Sequence, residues 1–503
     1  MKSLFRKCSI DIQNCVAQTY DGANVMSGKL KGVQALFQAE VAWAIYIHCL
    51  NHRLNLVLVD VCKNVDPAKD FFDLLEALYV FMSGSAIHAL FMSLQKRMRP
   101  NKQQMELKRI VLTRWSAQVY ACIAIKTLLP VILVTLNKIV LERHDRAAEA
   151  KGLLGQIDFK FIFNLCMFTQ ILLLFKGASD YLQAVDANLA SSTRLISSII
   201  QVLEKARSED TNVSENSEQN QNIPISSLLN SNNKDNSSNK KRGNKNSKST
   251  VEPKTSFNDI FKDSITICQE NDIEMPSSIE DNRVTSSDGT RCRIRKLPEK
   301  FQQYIVTEKL NFLEESKEIT KDDLKIKIYY PVLQRILSEL NDRFTKNNEI
   351  IEGMSALHPK SEEFLNFDVA EPFARHYGID TDTLKQEFKI IPEIIALLES
   401  EKEIKIDTVS KFLDLLFEYK NSFCESYKLI LIMVIIPVSS AACEKTFSSM
   451  KRLQSYLRNA MTPDRLDDLA ILNIEKLLSR EIDMNIVIDK FDAVHNNRRI
   501  LLH

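Results

Sequence analysis

After residue 65 the apolar side chains fall at helical spacing. Phe71, Leu74, Leu75, Leu78 and Met82 stand at i, i+3, i+4, i+7 and i+11, along one face of a 3.6-residue helix. Asp66 is expected to cap this helix and Pro67 to take its first position, where a fixed φ and a missing N–H are tolerated. Amphipathic texture of this kind runs to about residue 207, resumes at about 257, and is plain again in Val409, Phe412, Leu413 and Leu416. Glycine, which weakens helices, supplies only 11 of 503 residues, far below the ~7% of average proteins. A predominantly helical chain is therefore expected. Collagen-like, all-β repeat and fully disordered architectures are excluded, and no internal repeat with a period of 20 to 50 residues is visible.

The length suits about three domains or one core carrying a large insertion. Sixty-six Lys and Arg balance 65 Asp and Glu, so any contact with nucleic acid has to come from local patches. The ten cysteines are scattered without a CxxC pair, which is ordinary reduced usage. No apolar stretch follows Lys2, Arg6 and Lys7, so no secretory signal is expected. The longest apolar run, Phe161 to Phe175, is interrupted by Asn164, Thr169 and Gln170. It falls short of the ~20 residues a bilayer requires, and reads as a buried helix with no membrane partner. Residues 208–256 are dominated by Ser, Asn, Glu and Lys with almost no aromatics, too polar to offset ordering entropy, and read as a disordered linker or surface loop.

Short strands are expected at residues 15–21 and 44–49. The apolar run Leu429 to Val438 is a buried strand or helix, ended by Ser439 and Ser440 before a further helix. Asp21 then sits at a strand end beside Gly22, where it either binds a hard cation or caps the next helix. Glu444 falls in the first turn of its helix, favoured there by the dipole or available to a carboxylate cage for Mg²⁺. Neither serine lies three residues before it, so a capping box does not account for it. Cys49 and His52 form a CxxH step without a second pair at zinc-finger spacing, so a buried thiol and a hydrogen-bonded imidazole are the default. Arg114 and Trp115 follow Lys108 and Arg109, a grouping that can stack a base or hold a phosphate, or simply anchor a helical core. Lys240, Lys241 and Arg242 head a basic run that could serve as a nuclear signal or a phosphate contact. No Walker loop, GxGxxG, GxSxG or HExxH is present.

In this order, YDGANVMSG (20–28), HCLNHRLNLVL (48–58), LTRWSA (112–117), IPVSSAACEKTFSSMKR (436–452) and YLRNAMTPDRLDDLAIL (456–472) resemble the hAT superfamily of DNA transposases. Within it, they look most like the zinc finger MYM-type protein 1-like subgroup. The resemblance implies an α/β RNase H-like core, incomplete at its N-terminus, split by a large all-α insertion. That core would comprise residues 1–65 and 425–480, with the insertion over 66–424, a C-terminal dimerisation region over about 365–480, and a tail at 481–503. In the family an Asp-Asp-Glu trio holds two divalent ions, Mg²⁺ or Mn²⁺, for in-line phosphoryl transfer. Asp21 matches the second acid and Glu444 the third. By the same resemblance Trp115 stacks on a flipped base, Arg114 assists it, and Cys49 with His52 buttresses the site.

The first acid belongs to an early strand upstream of the YDG motif in family members, whereas only twenty residues precede Asp21, and Asp11 lies in the wrong context to replace it. The expectation is a nuclear, transposase-derived protein that forms homo-oligomers through its C-terminal region, contacts DNA, and does not cleave it for want of the first acid. The alternative is a non-catalytic nuclear module that dimerises and binds DNA or protein.

Overall fold

The computed structural model describes residues 2–110, 115–184, 187–208, 255–276, 319–344, 349–402, 405–454 and 461–494. Two strands, β1 (Ala17–Tyr20) and β2 (Ile45–His48), pair in parallel with Ala17 opposite Ile45 and Tyr20 opposite His48. Nearly all the described residues after them are helical. The longer helices are α1 (Leu50–Asn64), α2 (Asp66–Met82), α3 (Ser85–Met98), α4 (Trp115–Leu141), α5 (Ala147–Gln156), α6 (Phe159–Leu182), α7 (Leu189–Ser208) and α8 (Phe257–Glu270). They continue with α9 (Tyr330–Phe344), α10 (Phe367–His376), α11 (Thr381–Lys402), α12 (Val409–Glu418) and α13 (Cys424–Ile435). The last four are α14 (Ala441–Leu453), α15 (Pro463–Ile474), α16 (Lys476–Glu481) and α17 (Met484–Val494).

The predominantly helical character expected from spacing and low glycine is what the chain adopts. One correction concerns the start of α2. Val65 ends α1 and also caps α2, so Asp66 is the first helical residue, with no side-chain capping bond. The two helices follow each other without a loop, which leaves no room for an Asp cap; Asp66 instead places its charge in the first turn, where the dipole favours it. The ambiguous run Leu429 to Val438 resolves as helix through Ile435, then an extended step into Ser440.

A single large apolar cluster joins β2 and helices α1 to α13. Its centre is aromatic. Phe71 stacks on Phe168 and meets Phe72 edge-on, while Phe257 lies against Phe163, Phe261 and Tyr329. Helices α4 and α6 are each long and apolar enough to cross a bilayer by length and composition, but 61% and 78% of their apolar windows are buried inside the protein. Gln118 and Thr135 on α4, and Asn164 and Thr169 on α6, are buried among them, and both threonine hydroxyls donate to the carbonyl one turn back. The helices therefore spend their apolar surface on each other and on α5, α7 and α8.

Candidate functional site

Three stretches far apart in sequence meet at the C-terminal ends of β1 and β2. The Cys49 N–H donates to the Tyr20 carbonyl at 2.9 Å, so the chain leaves both strands side by side, with Asp21 on one and Cys49 on the other. Gly22 then passes directly over the His48 ring. A Cβ at that position would stand 2.6 Å from Cε1 and 2.8 Å from Nε2, so any larger residue would force the His48 ring aside. The third stretch is the link between α13 and α14. The Thr19 hydroxyl donates to the Pro437 carbonyl at 2.6 Å, and the Leu50 N–H to the Val438 carbonyl at 3.0 Å.

Cys49 sits at the middle of this junction, fully buried. Its Sγ accepts the His52 N–H at 3.4 Å and the Ser440 N–H at 3.2 Å. One sulfur thus satisfies a first-turn amide of α1 and the capping residue of α14, groups that helix geometry leaves without internal partners. Glu444 lies in the first turn of α14, where its Oε1 accepts the Ser440 hydroxyl at 3.1 Å. Asp21 Oδ1 accepts the Ala23 N–H at 3.3 Å. Asp21 and Glu444 accordingly border the same Cys49-centred junction. Asp11 is remote from this role, since its carboxylate caps the short turn Ile12–Asn14 through the Gln13 N–H. Lys445 fastens α14 to the end of α6 through the Gln183 carbonyl at 3.2 Å.

The junction is electropositive on its α1 side. Burial, reinforced by Arg53, His52 and Arg343, pulls the His48 imidazole down to about 4, with Asp21 opposing. His48 is therefore neutral at physiological pH, and its Nε2 is buried without a partner among the described residues. The His52 ring leans on it at 5.6 Å. The Tyr46 hydroxyl, likewise buried without a partner among the described residues, is raised by burial and then by the Asp21 charge. Arg53 lies over the Phe344 ring at 4.7 Å, and burial with Arg343 beside it lowers its guanidinium to about 10. Among the described residues, no three His, Cys, Asp or Glu side chains gather as a metal cage would require. Two carboxylates without a third member do not fit a pair of divalent ions.

Sequence reasoning singled out Asp21, Cys49, His52 and Glu444 but passed over His48, Tyr46 and Arg53. The signal available was two histidines four apart beside an arginine. Trp115 opens α4, while its side chain, Arg114, and the run Lys240, Lys241 and Arg242 lie outside the described residues.

A second histidine imitates a nucleophile–base pair. His358 Nε2 stands 2.9 Å from Ser191 Oγ. The Lys360 N–H donates to His358 Nδ1 at 3.1 Å, which makes Nδ1 the acceptor and leaves the proton on Nε2. The ring therefore donates to Ser191 and has no free lone pair with which to activate it.

Residues 393–478 match the hAT family C-terminal dimerisation region. That stretch runs from within α11 into α16 and contains the 436–445 side of the junction. The chain is also 28% identical, over 40% of its length and 26% of the relative's, to the mouse (Mus musculus) 52 kDa repressor of the inhibitor of the protein kinase. To the human (Homo sapiens) protein of the same name it is 26% identical over 37% of its length and 24% of the relative's. The chain spans about a quarter of the length of these curated relatives. A hAT C-terminal dimerisation region is present in this chain.

Proposed function

We propose that this chain is a transposase-derived, DNA-binding protein that pairs with a second copy through its C-terminal helices and does not itself cut DNA. One observation carries the pairing. Among the described residues of α14 to α17 only Ala441 and Ala470 are buried, while Phe447, Ile471, Leu472, Leu477, Leu478 and Phe491 are exposed. Monomeric proteins seldom leave so many large apolar side chains together in water, and most of these fall inside the matched dimerisation region. Burying them against a second copy recovers roughly 25 cal/mol per Å² of apolar surface. Size-exclusion chromatography with light scattering tests this: the wild type should run near twice 57.7 kDa, and Leu472→Asp with Leu477→Asp should run as a monomer. A wild type that stays monomeric at tens of micromolar would refute the pairing.

An RNase H-like core formed from residues 1–65 and 425–480 belongs to the same proposal. It is supported by the parallel β1–β2 pair and by the docking of residues 437–440 against it. The order of the five motifs supports kinship with the zinc finger MYM-type protein 1-like subgroup. Lack of cleavage is supported by the absence, among the described residues, of any cluster of three His, Cys, Asp or Glu side chains that would take in Asp21 and Glu444. Incubated with supercoiled plasmid and Mg²⁺ or Mn²⁺, residues 1–503 should produce no nicks; robust cleavage abolished by Glu444→Gln would overturn this. The relatives are repressors by name, and a regulatory role in the nucleus fits a protein that binds DNA without cutting it. Lys240, Lys241 and Arg242 are the nuclear signal in this proposal, and a reporter fused to residues 235–250 that stays cytoplasmic would remove them.

A further inference from the structure

In a chain whose formal net charge is only +1, residues 95–110 carry six cations, Lys96, Arg97, Arg99, Lys102, Lys108 and Arg109, against the single carboxylate of Glu106. The last turn of α3 supplies Lys96 and Arg97. The chain then doubles back over the same helix. The buried Gln95 amide donates to the Met105 carbonyl at 3.0 Å and its oxygen accepts the Met105 N–H. Gln104 donates to the Met92 carbonyl at 3.3 Å, and the Ile110 N–H donates to Glu76 on α2 at 3.2 Å. With Leu107 and Ile110 buried beneath it, the strap from 99 to 110 is fastened along its length. Met105 thus lies beside Gln95, while Glu106, paired with His88, sets Lys108 further back along α3, so that Lys96, Arg97, Lys102 and Lys108 are strung along one helix and its strap.

The local carboxylates are already engaged. Glu106 pairs with His88 at 2.8 Å and Glu76 with Arg109 at 3.3 Å. Lys96, Arg97, Lys102 and Lys108 are all exposed and make no ion pair among the described residues. Four cations strung along the helix and its strap without counter-charge leave a local excess of positive charge, which a phosphate backbone neutralises while releasing its own counterions. Because the strap is pinned, little ordering entropy is lost when a polyanion docks.

We propose that the last turn of α3 and the strap after it, through Lys96, Arg97, Lys102 and Lys108, form a docking surface for the sugar-phosphate backbone of duplex DNA. This deepens the DNA-binding half of the proposed function and rests on it. The contact is sequence-independent, since lysines on phosphates position a duplex and do not read its bases.

The test uses the full chain and a fluorescent 20-base-pair duplex of mixed sequence, titrated between about 50 and 200 mM salt. Each phosphate contact contributes about −0.9 to the slope of log affinity on log salt. The variant Lys96→Gln/Arg97→Gln/Lys102→Gln/Lys108→Gln should bind at least about tenfold more weakly near 100 mM salt, with a slope shallower by about 2 to 4. Lys240→Gln/Lys241→Gln/Arg242→Gln/Lys245→Gln, which removes the same number of charges elsewhere, should change both far less. A strap variant that binds like wild type with an unchanged slope overturns the surface but leaves DNA binding standing. A wild type that ignores the duplex even at 50 mM salt overturns both. Tighter binding to single-stranded RNA of equal length, lost in the same strap variant, overturns the assignment to duplex DNA.

Discussion

The Cys49 sulfur and the Ser440 backbone N–H stand 3.2 Å apart across 391 positions of sequence, and the same sulfur takes the His52 N–H. The thiol is thus the hinge-pin between the strand ends and the helix that opens the C-terminal segment. Cys49→Ala would leave two amides at the starts of α1 and α14 without acceptors in a fully buried place. An expected loss of about 1–2 kcal/mol follows from capping energetics. Cys49→Ser keeps an acceptor of smaller radius and should lose less. Urea denaturation of the three proteins separates the cases, and equal midpoints for wild type and Cys49→Ala would show that the sulfur is not acting as a cap.

How much of this was legible in sequence depends on the range of each interaction. The helical stripe at Phe71 to Met82 and the strand before Asp21 are local patterns, and both elements form. Leu429 to Val438 is uniformly apolar, and such a run fits a buried strand as well as a buried helix. Packing of Leu429, Ile430 and Met433 into the core is what makes it helical through Ile435. Gly22 was visible as the glycine beside Asp21 at the strand end, but the His48 ring that it passes over was not. Neither were the Gln95 clasp on Met105 and the Ser440 bond to Cys49, because contacts of side chains with distant backbone leave no periodic trace.

Glu387 makes another long-range contact of this kind. This carboxylate is 4% exposed and accepts the Glu425 N–H at 3.2 Å, the Ser426 N–H at 2.7 Å and the Ser426 hydroxyl at 2.6 Å. It caps α13 from a neighbouring helix, with its charge at the positive end of the dipole. Glu387→Ala should cost about 2–3 kcal/mol, in the range for hydrogen bonds to a charged group. Glu387→Gln should recover part of this by keeping one acceptor. Loss of stability in the alanine variant below about 0.5 kcal/mol would show that water replaces the carboxylate freely.

Two histidines make stability sensitive to mild acid. Burial is the leading cause that holds both His48 and His358 near 4, well under the ordinary 6.5. Between those values the unfolded chain binds protons that the folded chain refuses, so stability rises with pH across that window. The contribution is therefore intact above about pH 6.5, falls as the pH drops toward 4, and changes no further below 4. The urea midpoint should decline between pH 7 and pH 4.5, and His48→Asn with His358→Asn should decline less over the same interval. An identical pH profile in wild type and the double variant would remove the histidines as the cause.

Tyr329 ties together the two ends of the polar segment. Its hydroxyl, fully buried, lies 2.7 Å from the Thr255 carbonyl and 3.2 Å from the Ala206 carbonyl, so the chain leaves α7 and re-enters before α8 at one place. Ends fixed in this way make the length between them nearly indifferent, because closure entropy grows only with the logarithm of loop length. Replacing residues 212–250 by a ten-residue Gly-Ser loop should change stability by about 1 kcal/mol or less. Tyr329→Phe, which touches none of those residues, should cost about 1–2 kcal/mol by leaving two buried carbonyls without their donor. Urea denaturation of both variants decides the matter: if the loop replacement is the more damaging, the polar segment contributes packing of its own, and Tyr329 is not what holds α7 and α8 together.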